Sequence, residues 1–351
     1  MVLLPSTTAV PLPEIYLSEQ VTVLLSCALS VAGCMLIICT HALWPELRSR
    51  PRELLLYLSV ADLLSAVAYS YGVLQNFKST TWDCVVQGAL STFANTSSFF
   101  WTVAVALYLY ITIVQAKPSL ADSLLCTFHA VSWGLPLLIT VVAVSLNKIG
   151  YDASYVSVGW CWISIEAKDR ILWMLLAGKV WEILAYIILP ILYILIKKHI
   201  NRAHDALSEY RPILASAPAC PPRTAIADKK LIFIPLIFIV LRIWSTVRFI
   251  LTLCNSPAVN FSLLVVLHGV GNTFQGGANC IMFVLCTAVV RQRLFSCACC
   301  RRLPCIRQDL NLLKCISSDV VEPQSGPGSQ SAACLDPDSA DTLACVPVKR
   351  N

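Results

Sequence analysis

Seven stretches of this chain are apolar over a length that can cross a lipid bilayer, and this constrains the fold more than any other feature. They run roughly over 21–43, 53–75, 84–114, 119–146, 171–196, 231–254 and 261–287. Each exceeds the ~20 residues a helix needs to traverse about 30 Å of hydrocarbon at ~1.5 Å per residue. A membrane barrel would instead show ~10-residue alternating segments. The expected fold is therefore all-α, a seven-transmembrane-helix bundle. Composition agrees: 57% of the 351 residues are hydrophobic and 13% charged, with a mean hydropathy of +0.71, whereas soluble domains carry about 25% charged residues.

Lys and Arg in the connections set the expected orientation. Arg48, Arg50, Arg52, Lys117, Lys197, Lys198, Arg202, Arg211, Arg223, Lys229 and Lys230 lie on one side, joined by Arg291, Arg293, Arg301, Arg302, Arg307 and Lys314 after the last span. The other side holds Lys78, Lys148, Lys168 and Arg170. This bias places the amino terminus outside and the tail inside. Residues 1–20 read as a short extracellular tail without the basic start and apolar stretch of a cleaved signal. Residues 21–287 form the transmembrane domain, 288–302 a juxtamembrane amphipathic helix and 303–351 a disordered cytoplasmic tail rich in Ser, Pro, Gly and Asp. The expected location is the plasma membrane, multi-pass; a ciliary sub-compartment is open and unmarked by the sequence.

The cysteines sort by compartment. Cys84 opens the third span and Cys161 lies in the second outer loop, both on the oxidising side. A bridge between them would pin that loop over the bundle mouth; two free thiols is the alternative. Cys297, Cys299 and Cys300 follow the last span within LFSCACCRRLPC. This spacing has no paired CxxC knuckles and no His, so reversible acylation fits better than zinc. No metal, cofactor or nucleic-acid partner is expected.

Ionisable and amide groups inside spans mark candidate sites, because burial in lipid is costly for them. Asp62 and Asn279 lie at similar depth above the inner ends of the second and seventh spans, with Ser98 of the third within reach. They are expected to form either an ion- or water-linked switch or a static network. Nearer the outer face, Lys179 and Glu182 share one face of the fifth span. Arg242, Trp244 and Arg248 lie on the sixth, and His268, Asn272 and Gln275 on the seventh. These eight residues are the candidate ligand pocket, with Glu182 pairing Arg242 and with Trp101 and Trp244 as walls. Counting Lys179, Arg242 and Arg248 against Glu182 leaves a net positive charge, suited to an anionic ligand. The alternative is mutual neutralisation, with Lys179 and Arg248 snorkelling to headgroups. Pro136, Pro190 and Pro235 are expected to kink their helices.

Seven spans, an outer amino terminus and the Cys84–Cys161 pair together resemble the G-protein-coupled receptors. The third span ends ALYLYITIVQ, without the acidic-Arg-Tyr motif, and neither NPxxY nor CWxP occurs. The runs SSFFWTVAVALYLY, GWCWI and TFQGGANCIMFVLC look instead like the secretin-like and slime-mould cyclic-AMP receptors. The resemblance implies a heterotrimeric G protein as partner, with a leaning to Gq and phospholipase C, and an extracellular ligand of unread identity. Lys197, Lys198, Arg202, Lys229 and Lys230 are the expected docking residues, membrane lipids the bland alternative, and the Ser-rich tail a contact for arrestin. A channel or secondary transporter is the competing class, disfavoured by the odd span number and the lack of internal repeats. A retinal protein would need a Lys in the seventh span, and no HExxH, GxGD or nucleophile–base set suggests an enzyme.

Overall fold

The computed structural model describes residues 16–45, 48–152, 157–210 (side chains to 203), 232–285, and 287, 290, 291 and 294. The expected sites Lys229, Lys230, Cys297, Cys299 and Cys300, and the tail, lie outside them. The first three helices are Leu17–Leu43, Arg50–Gln75 and Trp82–Ile113. The fourth is segmented: Pro118–Ser123, Leu125–His129, a π-turn at Ala130–Gly134, then Leu135–Ser145. The fifth starts at Arg170–Met174, passes a π-turn at Leu175–Lys179 and continues as Val180–Tyr210. The sixth is Ile234–Leu253. Among the described residues, six helices are long and apolar enough to cross a membrane.

The seventh span is not the continuous helix expected from 261–287. It comprises Ser262–Thr273 and Gln275–Cys280, parted at Phe274 (φ −89°, ψ 0°), and ends in a π-turn at Ile281–Leu285. Gly271 faces the backbone carbonyl of Leu241, and Gly276 faces the Cys34 thiol. A Cβ at either position would collide, so these glycines let the sixth and first helices approach the seventh closely.

Pro235 also departs from expectation. It stands in the first turn of the sixth helix, where a missing N–H breaks no helical bond and no kink is required. Pro190 lies inside the fifth helix.

The polarity of the bundle is inverted relative to a soluble protein. Leu25, Leu29, Leu137, Leu138 and Val141 point outward, while Asp62, Ser98, Asn279, Lys179, Glu182 and Arg242 are buried. Lipid solvates the first set; the second must find partners inside. The third helix runs through the centre, against the second, fourth, fifth and sixth. At one end Ile149–Gly150 and Trp162–Ile163 form an antiparallel two-stranded ribbon, an element the sequence reading did not anticipate. The Cys84–Cys161 disulfide ties this loop to the third helix, with Cα atoms 5.5 Å apart.

Candidate functional site

Two buried polar tiers lie in the bundle. The outer tier begins at the π-turn of the fifth helix, which ends on Lys179. Lys179 Nζ donates to Glu182 Oε2 at 2.7 Å and to Ser245 Oγ at 2.6 Å. The other Glu182 oxygen accepts from Tyr186 OH (2.7 Å) and Thr246 Oγ1 (2.9 Å). Glu182 thus pairs Lys179, one turn away on its own helix, and not Arg242 as expected, because Arg242 is turned toward Asn272 of the seventh helix. Neither Lys179 nor Arg248 snorkels; both are buried.

Arg242 is the unusual member. Its Nη1 donates to Asn272 Oδ1 at 3.2 Å, and Asn272 Nδ2 meets His268 Nε2 at 2.9 Å. The guanidinium lies 4.9 Å from the Phe99 ring centroid, a cation–π distance. Among the described residues its Nε has no hydrogen-bond partner and no carboxylate stands within ion-pair reach.

Above this tier sits a cavity of about 30 Å³, lined by Thr92, Asn95, Lys179, Glu182, Ser245, His268 and Asn272, with aromatic walls from Tyr69, Phe99, Trp160 and Trp162. That is room for about one or two waters. Among the described residues, His268 Nδ1, Thr92 Oγ1 and Asn95 Oδ1 find no partner around it. Arg242 underlies this floor through Asn272.

Four residues expected at the pocket or its walls, Trp244, Trp101, Arg248 and Gln275, stand elsewhere. Trp244 is 36% exposed on the outer surface of the sixth helix; Trp160 and Trp162 of the loop supply the indole walls instead. Trp101 stacks on Tyr57 (5.1 Å) and meets His129 edge-on, away from the cavity. Arg248 donates to the backbone oxygens of Val259 (3.2 Å) and Ser157 (2.8 Å), so it clasps the outer loops. With Lys179 neutralised by Glu182 and Arg248 directed to the loops, the expected surplus of positive charge reduces to Arg242, which does not line the cavity itself but bonds to its lining residue Asn272.

Gln275 belongs to the inner tier rather than the pocket, on the far side of the Phe274 break from Asn272. Its Nε2 donates to Ser98 Oγ at 3.1 Å, and Ser98 Oγ donates to Asp62 Oδ1 at 2.7 Å. Asn279 Nδ2 reaches Asp62 Oδ2 at 3.2 Å. Asp62, Ser98 and Asn279 are therefore brought together from three helices. Thr102, which lies 3.4 Å from Gln275 Nε2, was missed. Its position one helical turn below Ser98 was the available signal. Similarly, the GWCWI run flanking Cys161 was the signal for the tryptophan walls.

The inner ends of the fifth and sixth helices form a groove of about 170 Å³ lined by Tyr193, Lys197, Ile200, Asn201, Ile232 and Phe233. Lys198 and Arg202 are exposed beside it.

The model of the seven-transmembrane receptors of the secretin family matches residues 16–278. The chain is 69% identical to G-protein coupled receptor 157 of Homo sapiens, over 82% of this chain and 86% of that one. The Mus musculus protein of the same name is 68% identical, over 83% and 89%. A more distant relative is cyclic AMP receptor-like protein A of Dictyostelium discoideum, 25% identical over 40% of this chain and 35% of its own.

Proposed function

Because the chain belongs to the secretin family of seven-transmembrane receptors, we propose that it carries an extracellular signal through the plasma membrane to a heterotrimeric G protein, of Gq type acting on phospholipase C. The supporting observation for the inner face is the apolar groove between the fifth and sixth helices, lined by Lys197, with Lys198 and Arg202 exposed on the same helix and Lys229 and Lys230 close by in sequence. Such a groove accommodates an apolar helix face, and the cations steer an acidic partner. Replacing Lys229 and Lys230 with Ala is expected to lower inositol-phosphate output at equal surface level. Unchanged output would remove these residues from the docking face.

At the outer face the proposed ligand carries an anionic group. Arg242 carries this reading: it is a buried guanidinium with an open Nε, and among the described residues it makes no direct ion pair, with Asp62 and Glu182 acting on it only from beyond that distance. Lys179 and Glu182 hold the fifth helix to the sixth beside it. In the closed form the cavity admits only the anionic group, and the remainder of a ligand displaces Trp160 and Trp162. The Asp62–Ser98–Gln275–Asn279 tier lies below and is proposed as the element whose rearrangement transmits the change. A library of carboxylates, phosphates and amines applied to expressing cells tests this. Anionic hits on the wild type should be lost in Arg242→Ala and kept in part by Arg242→Lys, since an ammonium lacks the planar fork. Cationic hits, or a normal Arg242→Ala response, would return Arg242 to a structural role.

A further inference from the structure

A second cavity opens on the outward-facing side of the bundle, between the second and third helices at the disulfide-bearing end. There the helices part to leave a groove of about 280 Å³. Val67 and Tyr71 wall it from the second helix, and Trp82 and Val86 from the third. All four are at least 40% exposed, so protein does not fill the space. Besides the Tyr71 hydroxyl and the Trp82 indole N–H on its walls, the polar groups are Asp83 and Gln87, one turn apart, about 6 Å along the helix and on the same face.

Those two side chains define the chemistry. Gln87 is 2% exposed; its Oε1 accepts the Cys161 N–H at 2.8 Å, while its Nε2, a donor, has no partner among the described residues. Asp83 is an acceptor. A group that engages both must accept from the amide and donate to the carboxylate, which a hydroxyl does and a phosphate diester does not. A phospholipid headgroup phosphate would also be repelled by Asp83. The apolar walls ask for a rigid hydrocarbon body, which loses little conformational freedom on binding, rather than a flexible acyl chain.

We propose that this groove binds a membrane sterol, its hydroxyl engaging Asp83 and Gln87 and its ring system along Val67, Tyr71, Trp82 and Val86. The disulfide end of the bundle is the oxidising, outer side, so the sterol comes from the outer leaflet. Gln87 also holds the backbone of Cys161, whose neighbours Trp160 and Trp162 wall the outer cavity. Sterol occupancy therefore fixes the loop over that cavity. This site stands independently of the receptor reading, since sterol binding requires neither agonist nor G protein.

The test uses the purified full-length chain in phosphatidylcholine nanodiscs with a diazirine-bearing cholesterol. Photolabelling should map to peptides containing Val67–Tyr71 and Trp82–Leu90, and excess cholesterol should compete it. The 3α-hydroxyl epimer should compete about tenfold less well, the effect of one misplaced charge-assisted hydrogen bond. Val86→Trp, which fills the groove from its lipid side, should abolish the labelling, and Asp83→Ala should weaken it about tenfold at an unchanged melting temperature. If Val86→Trp does not fold, Asp83→Ala and the epimer decide. Labelling elsewhere, equal competition by the epimer, indifference to both variants, or equal labelling of the groove by a diazirine phosphatidylcholine would each overturn the proposal.

Discussion

Glu182→Ala is expected to lose most of the folded protein at the cell surface and to destabilise the purified receptor by about 3–5 kcal/mol, as breaking a buried ion pair does. Glu182 accepts from Lys179, Tyr186 and Thr246 at once, and Lys179 is 3% exposed. Without the carboxylate, an ammonium remains in a low-dielectric interior with Ser245 as its one remaining hydrogen-bonded partner among the described residues. The double replacement Lys179→Met/Glu182→Leu should recover most of the loss, because it removes both charges together and keeps side-chain volume. Tyr186 OH and Thr246 Oγ1 lie 3.3 Å apart and can satisfy each other. Melting temperatures of the three purified variants in one detergent measure this. A double variant as unstable as Glu182→Ala would show that the destabilisation does not arise from the stranded charge.

Cys84→Ser and Cys161→Ser should each cost about 2–5 kcal/mol and cut surface expression, with the double variant no worse than either single one. The bridge closes a long loop, with its ends 77 residues apart, so its removal frees much unfolded-chain entropy. The folded loop also depends on it. Gly88 leaves room for Ile149 and the Cys161 carbonyl against the third helix, and Gln87 binds the Cys161 N–H. Losing the bridge therefore loosens the ribbon and the tryptophan walls together. Flow cytometry on intact cells and melting with and without reductant read the effect. Additive losses would mean that the two residues act separately.

The first of these predictions rests partly on what spacing alone reveals. Lys179 and Glu182 are one turn apart, and a helix forces such residues onto one face. The choice of Lys179 over Arg242 as partner for Glu182 was not legible, because it depends on how far the sixth helix is rotated toward the fifth. The same limit explains Trp244. Its number places it at the depth of the cavity, but rotation turns it outward, and a loop fills the place with Trp160 and Trp162. Gln275 was assigned to the wrong tier for a related reason: periodicity groups it with His268 and Asn272, while depth and the Phe274 break put it beside Ser98.

The sequence by itself determined the spans, since crossing a bilayer is a matter of apolar length along one dimension. It also marked the buried polar residues, because lipid makes each of them exceptional, and it singled out Cys84 and Cys161 by compartment. Only the tertiary structure decided who meets whom. Asp62 and Asn279 are 217 residues apart, and their contact depends on close helix approach at sites such as Gly276 against Cys34. The open Nε of Arg242 and the unfilled groove beside Gln87 are likewise properties of packing, where a partner's position, not a residue's identity, determines whether a polar group is satisfied.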